Sequence, residues 1–140
     1  MMPTSSGSRH QTLPPLELAL QRNVEAPGIA RAAITGLCRE LGLSGRVRQT
    51  LVLLVSEVVS NAVLHSSGPR EERIRLTATL EEDAVRVRVS DAGGGFTPSP
   101  RDPARADGGY GLYLVAKAAS RWGVEQEGCT SVWFELALDA

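Results

Sequence analysis

The chain has 140 residues, 42% of them hydrophobic and 22% charged, with a formal net charge of −1. That is enough for one globular domain with a single core, and it excludes a disordered chain. There is no basic surplus of the kind that advertises nucleic acid or an anionic membrane as partner. No apolar run approaches the ~18 residues of a membrane span, and the polar start MMPTSSGSRHQ lacks the apolar stretch of a secretory signal. Cys38 and Cys129 lie far apart with no His/Cys cluster around either. They fit reduced buried thiols better than a disulfide frame or a zinc site, and a cytoplasmic location is expected.

Residues 1–13 are rich in Ser, Gly and Pro and are expected to form a disordered tail, with the folded domain at 14–140. Leu16 to Leu20 (LELAL) alternates and predicts a short strand. A helix is predicted over 26–41, with Pro27 in its first turn and Gly42 just past its end. Ala30, Ile34, Leu37 and Leu41 form its buried stripe. Ser44 is the expected N-cap of a long helix over 45–66, which Ser66-Ser67-Gly68-Pro69 terminates.

This second helix carries Glu57, Asn61 and His65 at a four-residue spacing, within LVLLVSEVVSNAVLHS. At about 100° per residue, Glu57 and Asn61 lie about 40° apart and His65 about 80° from Glu57. Thr50 and Ser60 fall on the same side, while Leu51, Val52, Val55, Val58, Val59, Ala62 and Val63 form an opposite core stripe. A carboxylate and a carboxamide on so apolar a helix are costly to bury without partners, so something polar should lie against that face.

A hairpin follows. Ile74, Leu76, Ala78 and Leu80 alternate with polar residues, Glu81-Glu82-Asp83 turns the chain, and Val85, Val87 and Val89 alternate with Arg86 and Arg88. One face is core and the other solvent. Asp91 has the parity of the three valines and so points inward. It either caps the turn into Ala92-Gly93-Gly94-Gly95 or receives hydrogen bonds from a ligand. From Phe96 to Asp107 the chain is rich in Pro, Asp and Arg and lacks periodicity, so a long loop, functional or disordered, is expected. Gly108-Gly109-Tyr110-Gly111 opens a helix over 112–121, with Leu112, Val115, Ala116 and Ala119 at core spacing. Strands over 123–127 and 131–138, around Gly128-Cys129, close the chain. Trp122 and Trp133 are expected to be packing anchors, and Arg46 and Arg48 to be solvated. Arg31 is either the wet side of its helix or a contact for a protein partner.

Two glycine clusters thus bracket the loop. Glycine lets backbone approach a ligand closely, and a helix N-terminus offers free N–H groups and positive potential to phosphates. The ordered set is a Glu-x-x-x-Asn helix, then Asp-x-Gly-x-Gly, then a loop, then Gly-x-Gly at a helix start. It resembles the GHKL-type (Bergerat fold) nucleotide-binding domain of gyrase, Hsp90 chaperones, histidine kinases and MutL. The single-domain size and the stretch SEVVSNAVLHS resemble most the anti-sigma factor serine/threonine kinases of actinobacterial type, over about residues 14–138.

The resemblance implies a two-layer α/β sandwich, a mixed and mostly antiparallel sheet of about five strands with three helices on one face. It implies ATP and Mg²⁺ as cofactors, with Asn61 as metal ligand and Glu57 as general base. Asp91 would accept a hydrogen bond from the adenine amino group, beside Gly93 and Gly95. The backbone amides of Gly109, Tyr110, Gly111 and Leu112 would hold phosphate oxygens, and Thr130 would lie beside adenine. His65 would touch a phosphate or the lid at about 96–108, although the helix dipole alone also accounts for a terminal His.

The implied function is phosphorylation of an anti-sigma-factor antagonist by a protein that also binds a sigma factor, with no direct nucleic acid or membrane contact. Relatives commonly form homodimers. A non-catalytic ATP-binding module that sequesters a partner is the alternative. An ATPase module of a larger machine is disfavoured by a length that leaves no transducer domain. No histidine-bearing dimerisation helix precedes the domain, and Gly128-Cys129-Thr130-Ser131 lacks the lysine that some relatives carry there.

Overall fold

The computed structural model describes residues 15–65, 73–91, 110–126 and 129–138. In chain order these form β1 (Leu16–Leu20), α1 (Ala26–Leu41), α2 (Gly45–His65), β2 (Ile74–Leu80), β3 (Ala84–Asp91), α3 (Tyr110–Ala118), β4 (Arg121–Gln126) and β5 (Thr130–Ala137). The strands make one sheet in the order β1-β2-β3-β5-β4. All four pairings are antiparallel, so the sheet is not mixed as expected. The lone crossover is the insertion of β5 between β3 and β4, which the sequence order of the strands conceals.

Local chemistry sets the helix ends. Pro27 sits in the first turn of α1, where its missing N–H costs nothing. Gly42 ends that helix in the left-handed region at φ 68°, and the N–H groups of Gly42 and Leu43 close on the carbonyls of Arg39 and Cys38. Ser44 caps α2, its Oγ accepting the N–H of Val47 at 3.2 Å.

The core lies between the sheet and the three helices. From α1 come Ala26, Ala30, Ile34 and Cys38, a strict four-residue stripe. Cys38 therefore takes the place expected of Leu41, and Leu37 packs only partly against the cluster. From α2 come Val47, Leu51, Leu54, Val55, Val58, Val59 and Ala62. Leu54 was not on the expected stripe. It is buried on a helix that packs against α1 and α3 as well as against the sheet.

By length and composition, the stretch Gly45–Leu64 would suffice to cross a membrane. The expectation that nothing approached this length counted uninterrupted apolar runs, whereas polar Glu57 and Asn61 are averaged into this one. Its side chains supply the centre of the core, as in any helix enclosed on several sides.

From α3, Leu112 and Val115 are buried, while Ala116 is exposed, contrary to its expected place in the core. The helix runs from Tyr110 to Ala118 and β4 begins at Arg121, both earlier than the spacing predicts. Val85, Val87 and Val89 of β3, with Val132, Phe134 and Leu136 of β5, complete the inner sheet face. Full burial of each large aliphatic or aromatic side chain contributes about 1.5–3 kcal/mol.

The outer sheet face carries paired charges. Arg86 bonds Glu135 at 2.7 Å, Arg88 bonds Glu125 at 2.6 Å, and Arg121 approaches Glu135 at 3.5 Å. Trp133 lies on this face under the Arg86 guanidinium, 4.2 Å from the ring centroid. Its ring runs so close across Gly123 that an added Cβ there would sit 2.8 Å from the indole Nε1. Trp122, opposite Phe134 in the β4–β5 register, packs against the core instead.

Candidate functional site

Among the described residues, the pairing rungs at one end of the sheet end level with one another. Ile74 begins β2, Asp91 ends β3, Thr130 begins β5 and Gln126 ends β4, and register joins them as Ile74–Asp91–Thr130–Gln126. Asp91 keeps the parity of Val85, Val87 and Val89 and is therefore inward, with 2% of its surface exposed. Thr130, directly opposite on β5, is 1% exposed. The inner face of this sheet end thus carries a buried carboxylate beside a buried hydroxyl. Two polar groups sit where the rest of the face is valine, phenylalanine and leucine.

The α2 helix brings the other polar residues. It packs against β2, β3 and β5 and against α3, so it spans both strands that carry the acid–hydroxyl pair. Asn61 on α2 is 5% exposed, and its carboxamide has no hydrogen-bond partner among the described residues. Burying an amide without a partner costs about 1–3 kcal/mol. A buried carboxamide with no partner among the described residues has the capacity to bond a ligand atom. Glu57, one helical turn earlier, is half-buried and retains access to solvent. No group of three or more His, Cys, Asp or Glu side chains able to hold a metal occurs among the described residues. A cation here would draw on the Asn61 oxygen together with oxygens of a ligand, which suits Mg²⁺.

Tyr110 and Gly111 are the first residues of α3, and Leu112 is fully buried in its first turn. The first-turn amides of a helix have no intrahelical acceptors and suit an anion. His65 is the last residue of α2. Gly93, Gly95, Gly109 and the segment 96–108 lie outside the described residues, as does the tail over 1–13. Arg46 and Arg48 are exposed, as expected of the start of α2. Arg31 is exposed too, and its Nη1 donates to Ser56 Oγ at 2.8 Å, which ties α1 to α2.

A pair that sequence reasoning missed lies behind Asp91 and Thr130. Ser90 and Ser131 are register partners on the outer face, with their hydroxyl oxygens 2.8 Å apart. Alternation in each strand was signal enough to place each serine outward. Only the β3–β5 register puts them together.

A family model described as a histidine kinase-like ATPase domain matches residues 20–136. The serine-protein kinase RsbW of Oceanobacillus iheyensis is 26% identical over 113 residues, covering 71% of this chain and 72% of that protein. RsbW of Bacillus subtilis (strain 168) is 27% identical over 113 residues, covering 71% of each. Among solved structures, the RsbU and RsbW domains of Rv1364c from Mycobacterium tuberculosis are similar with a TM-score of 0.73 at 23% identity. That match covers 90% of this chain and 33% of the other, so this chain spans about a third of its length. The SiaB–SiaC complex from Pseudomonas aeruginosa matches with a TM-score of 0.64 at 12% identity, over 94% of this chain and 95% of that one. At these identities the structural likenesses speak for the fold.

Proposed function

This chain belongs to the histidine kinase-like ATPase domain family, and from that membership we propose that it is an ATP- and Mg²⁺-dependent serine/threonine kinase of the anti-sigma-factor type. Its proposed partners are a sigma factor, which it binds, and an antagonist protein, which it phosphorylates, both in the cytoplasm. The distant similarity to serine-protein kinases named RsbW supports the choice of reaction. The observation that carries the reading is the buried Asn61, without a hydrogen-bond partner among the described residues, one turn from Glu57 on a helix packed against the strands of Asp91 and Thr130.

Each residue then has one task. Asp91 accepts a hydrogen bond from the exocyclic amino group of adenine, and Thr130 lines the same base. Backbone N–H groups at the start of α3, through Tyr110, Gly111 and Leu112, donate to phosphate oxygens. Asn61 would hold Mg²⁺ through its amide oxygen, and the metal would supply neutralisation of phosphate charge. Glu57 takes the proton of the attacking hydroxyl at a carboxylate oxygen, and its partial exposure leaves room for that hydroxyl to approach. By resemblance, Gly93 and Gly95 are assigned to the wall beside the adenine, and His65, Gly109 and the segment over 96–108 to the phosphate and lid side.

The test is calorimetric titration of wild type, Asp91→Asn and Glu57→Ala with ATP and Mg²⁺, followed by γ-phosphate transfer to candidate antagonists. Expected is loss of binding in the first variant, and binding without transfer in the second. A wild type that does not bind ATP at millimolar concentration defeats the reading. Binding without transfer to any antagonist favours the second reading, a module that sequesters its partner without catalysis. Cys129, standing where some relatives have lysine, is the feature that supports that alternative.

A further inference from the structure

We infer that Ser90 and Ser131 are positioning residues for the nucleotide site, clamping the end of β3 to the start of β5 so that Asp91 is held toward the base. The inference rests on the proposed contact between Asp91 and adenine. Among the described residues, the rung Asp91–Thr130 is the last of the β3–β5 pairing. Terminal rungs open most easily, because nothing on one side cooperates with them. The flanking sequence offers little help. Asp91 is followed by Ala92-Gly93-Gly94-Gly95, and Thr130 is preceded by Gly128-Cys129. Glycine adds no side chain to pack and costs the most backbone entropy to order.

One rung inward, on the face away from the helices, the Ser90 and Ser131 hydroxyls meet at 2.8 Å. Ser131 is only 6% exposed and Ser90 is half-buried, so the bond is partly sheltered from competing water. Elsewhere on this face the cross-strand tie between β3 and β5 is ionic and long-armed, Arg86 with Glu135. A long pair tolerates strand movement because its side chains can follow, whereas two serines reach each other only when the backbones are in register and close. The short pair therefore lies at the end of the sheet where register must be held tightest. Because side chains alternate, whatever fixes Ser90 and Ser131 outward also fixes Asp91 and Thr130 inward.

The experiment titrates wild type, Ser90→Ala, Ser131→Ala, the double alanine variant and Ser131→Thr with ATP. Each is also titrated with purine riboside triphosphate, which lacks the exocyclic amino group, and melting temperatures are recorded alongside. Each alanine variant is expected to bind ATP about three- to tenfold more weakly, the effect of one hydrogen bond. The double variant is expected to be no worse than either single one, because both remove the same bond. Ser131→Thr keeps the hydroxyl and retains wild-type affinity. Affinity for the amino-free analogue is expected to stay unchanged across the series, since Asp91 has no donor to meet there.

Unchanged ATP affinity in both alanine variants overturns the inference. So does equal weakening toward ATP and the analogue, which is what a general loosening of the sheet would produce. A wild type that binds ATP and the amino-free analogue equally well overturns instead the underlying assignment of Asp91, and the inference with it.

Discussion

Asp91 and Thr130 face each other across the last rung of β3 and β5, both almost wholly buried, although a helix and a strand separate them in the chain. In the proposed site, a carboxyl beside a hydroxyl on an otherwise apolar sheet face would offer a ligand an acceptor and a group able to donate or accept. Thr130→Val keeps the volume and branching of the side chain and removes only the hydroxyl. ATP affinity is expected to fall about three- to tenfold. Calorimetry measures it, and an unchanged dissociation constant would remove Thr130 from the site.

Asn61 offers a sharper separation of stability from binding. Its carboxamide makes no hydrogen bond within the described residues, so Asn61→Ala forfeits none with them. The variant should differ from wild type by no more than about 1 kcal/mol in urea unfolding. Its affinity for Mg²⁺–ATP should drop at least about tenfold, consistent with the loss of a metal ligand. A large loss of stability with unaltered Mg²⁺–ATP affinity would mean that the residue serves the fold.

Gly123 leaves no room for a side chain, because the Trp133 ring lies across it. The obstacle is a rigid indole already held under Arg86, so it cannot simply swing aside. Gly123→Ala is expected to cost about 1–3 kcal/mol as the ring is displaced. A change in Trp133 emission should accompany the loss, with Trp133 isolated in a Trp122→Phe background. Full stability and unchanged emission would contradict this packing.

Cys38 is fully buried on α1, and burial pushes its thiol above the ordinary value, a shift that the positive charge of Arg48 only partly opposes. The thiolate is the reactive form, so Cys38 should resist alkylation at neutral pH until the domain unfolds. Cys129 is half-buried and should react first. Mass spectrometry of partly alkylated protein reads the order directly, and early labelling of Cys38 would count against the core described above.

On the outer face, the hydrogen bond and then the charge of Arg88 hold the Glu125 carboxyl below the usual carboxylate value. A folded-state pKa that is depressed stabilises above the unfolded value, and that contribution disappears as pH falls through the folded one. The pair therefore helps at neutral pH and fades in acid, by a small amount because Glu125 is exposed. Arg88→Ala should move the Glu125 titration, followed by NMR, back up toward the ordinary value. A midpoint that does not move would show that Arg88 is not its cause.

By itself the sequence determined the elements whose signals are local. The LELAL alternation marked β1, Pro27 and Gly42 bounded α1, Ser44 marked the start of α2, and the valine alternation gave β3 and the inward parity of Asp91. These follow from dihedral preference, capping and side-chain period, which act over a few residues. Tertiary structure decided what depends on distant partners. The insertion of β5 between β3 and β4 sets Thr130 opposite Asp91 and Ser131 opposite Ser90. The packing of α2 against α1, α3 and the sheet together leaves Leu54 and Asn61 buried and Glu57 half-open. A helical period says which residues share a side; only the neighbours that pack against it settle how many sides are closed to water.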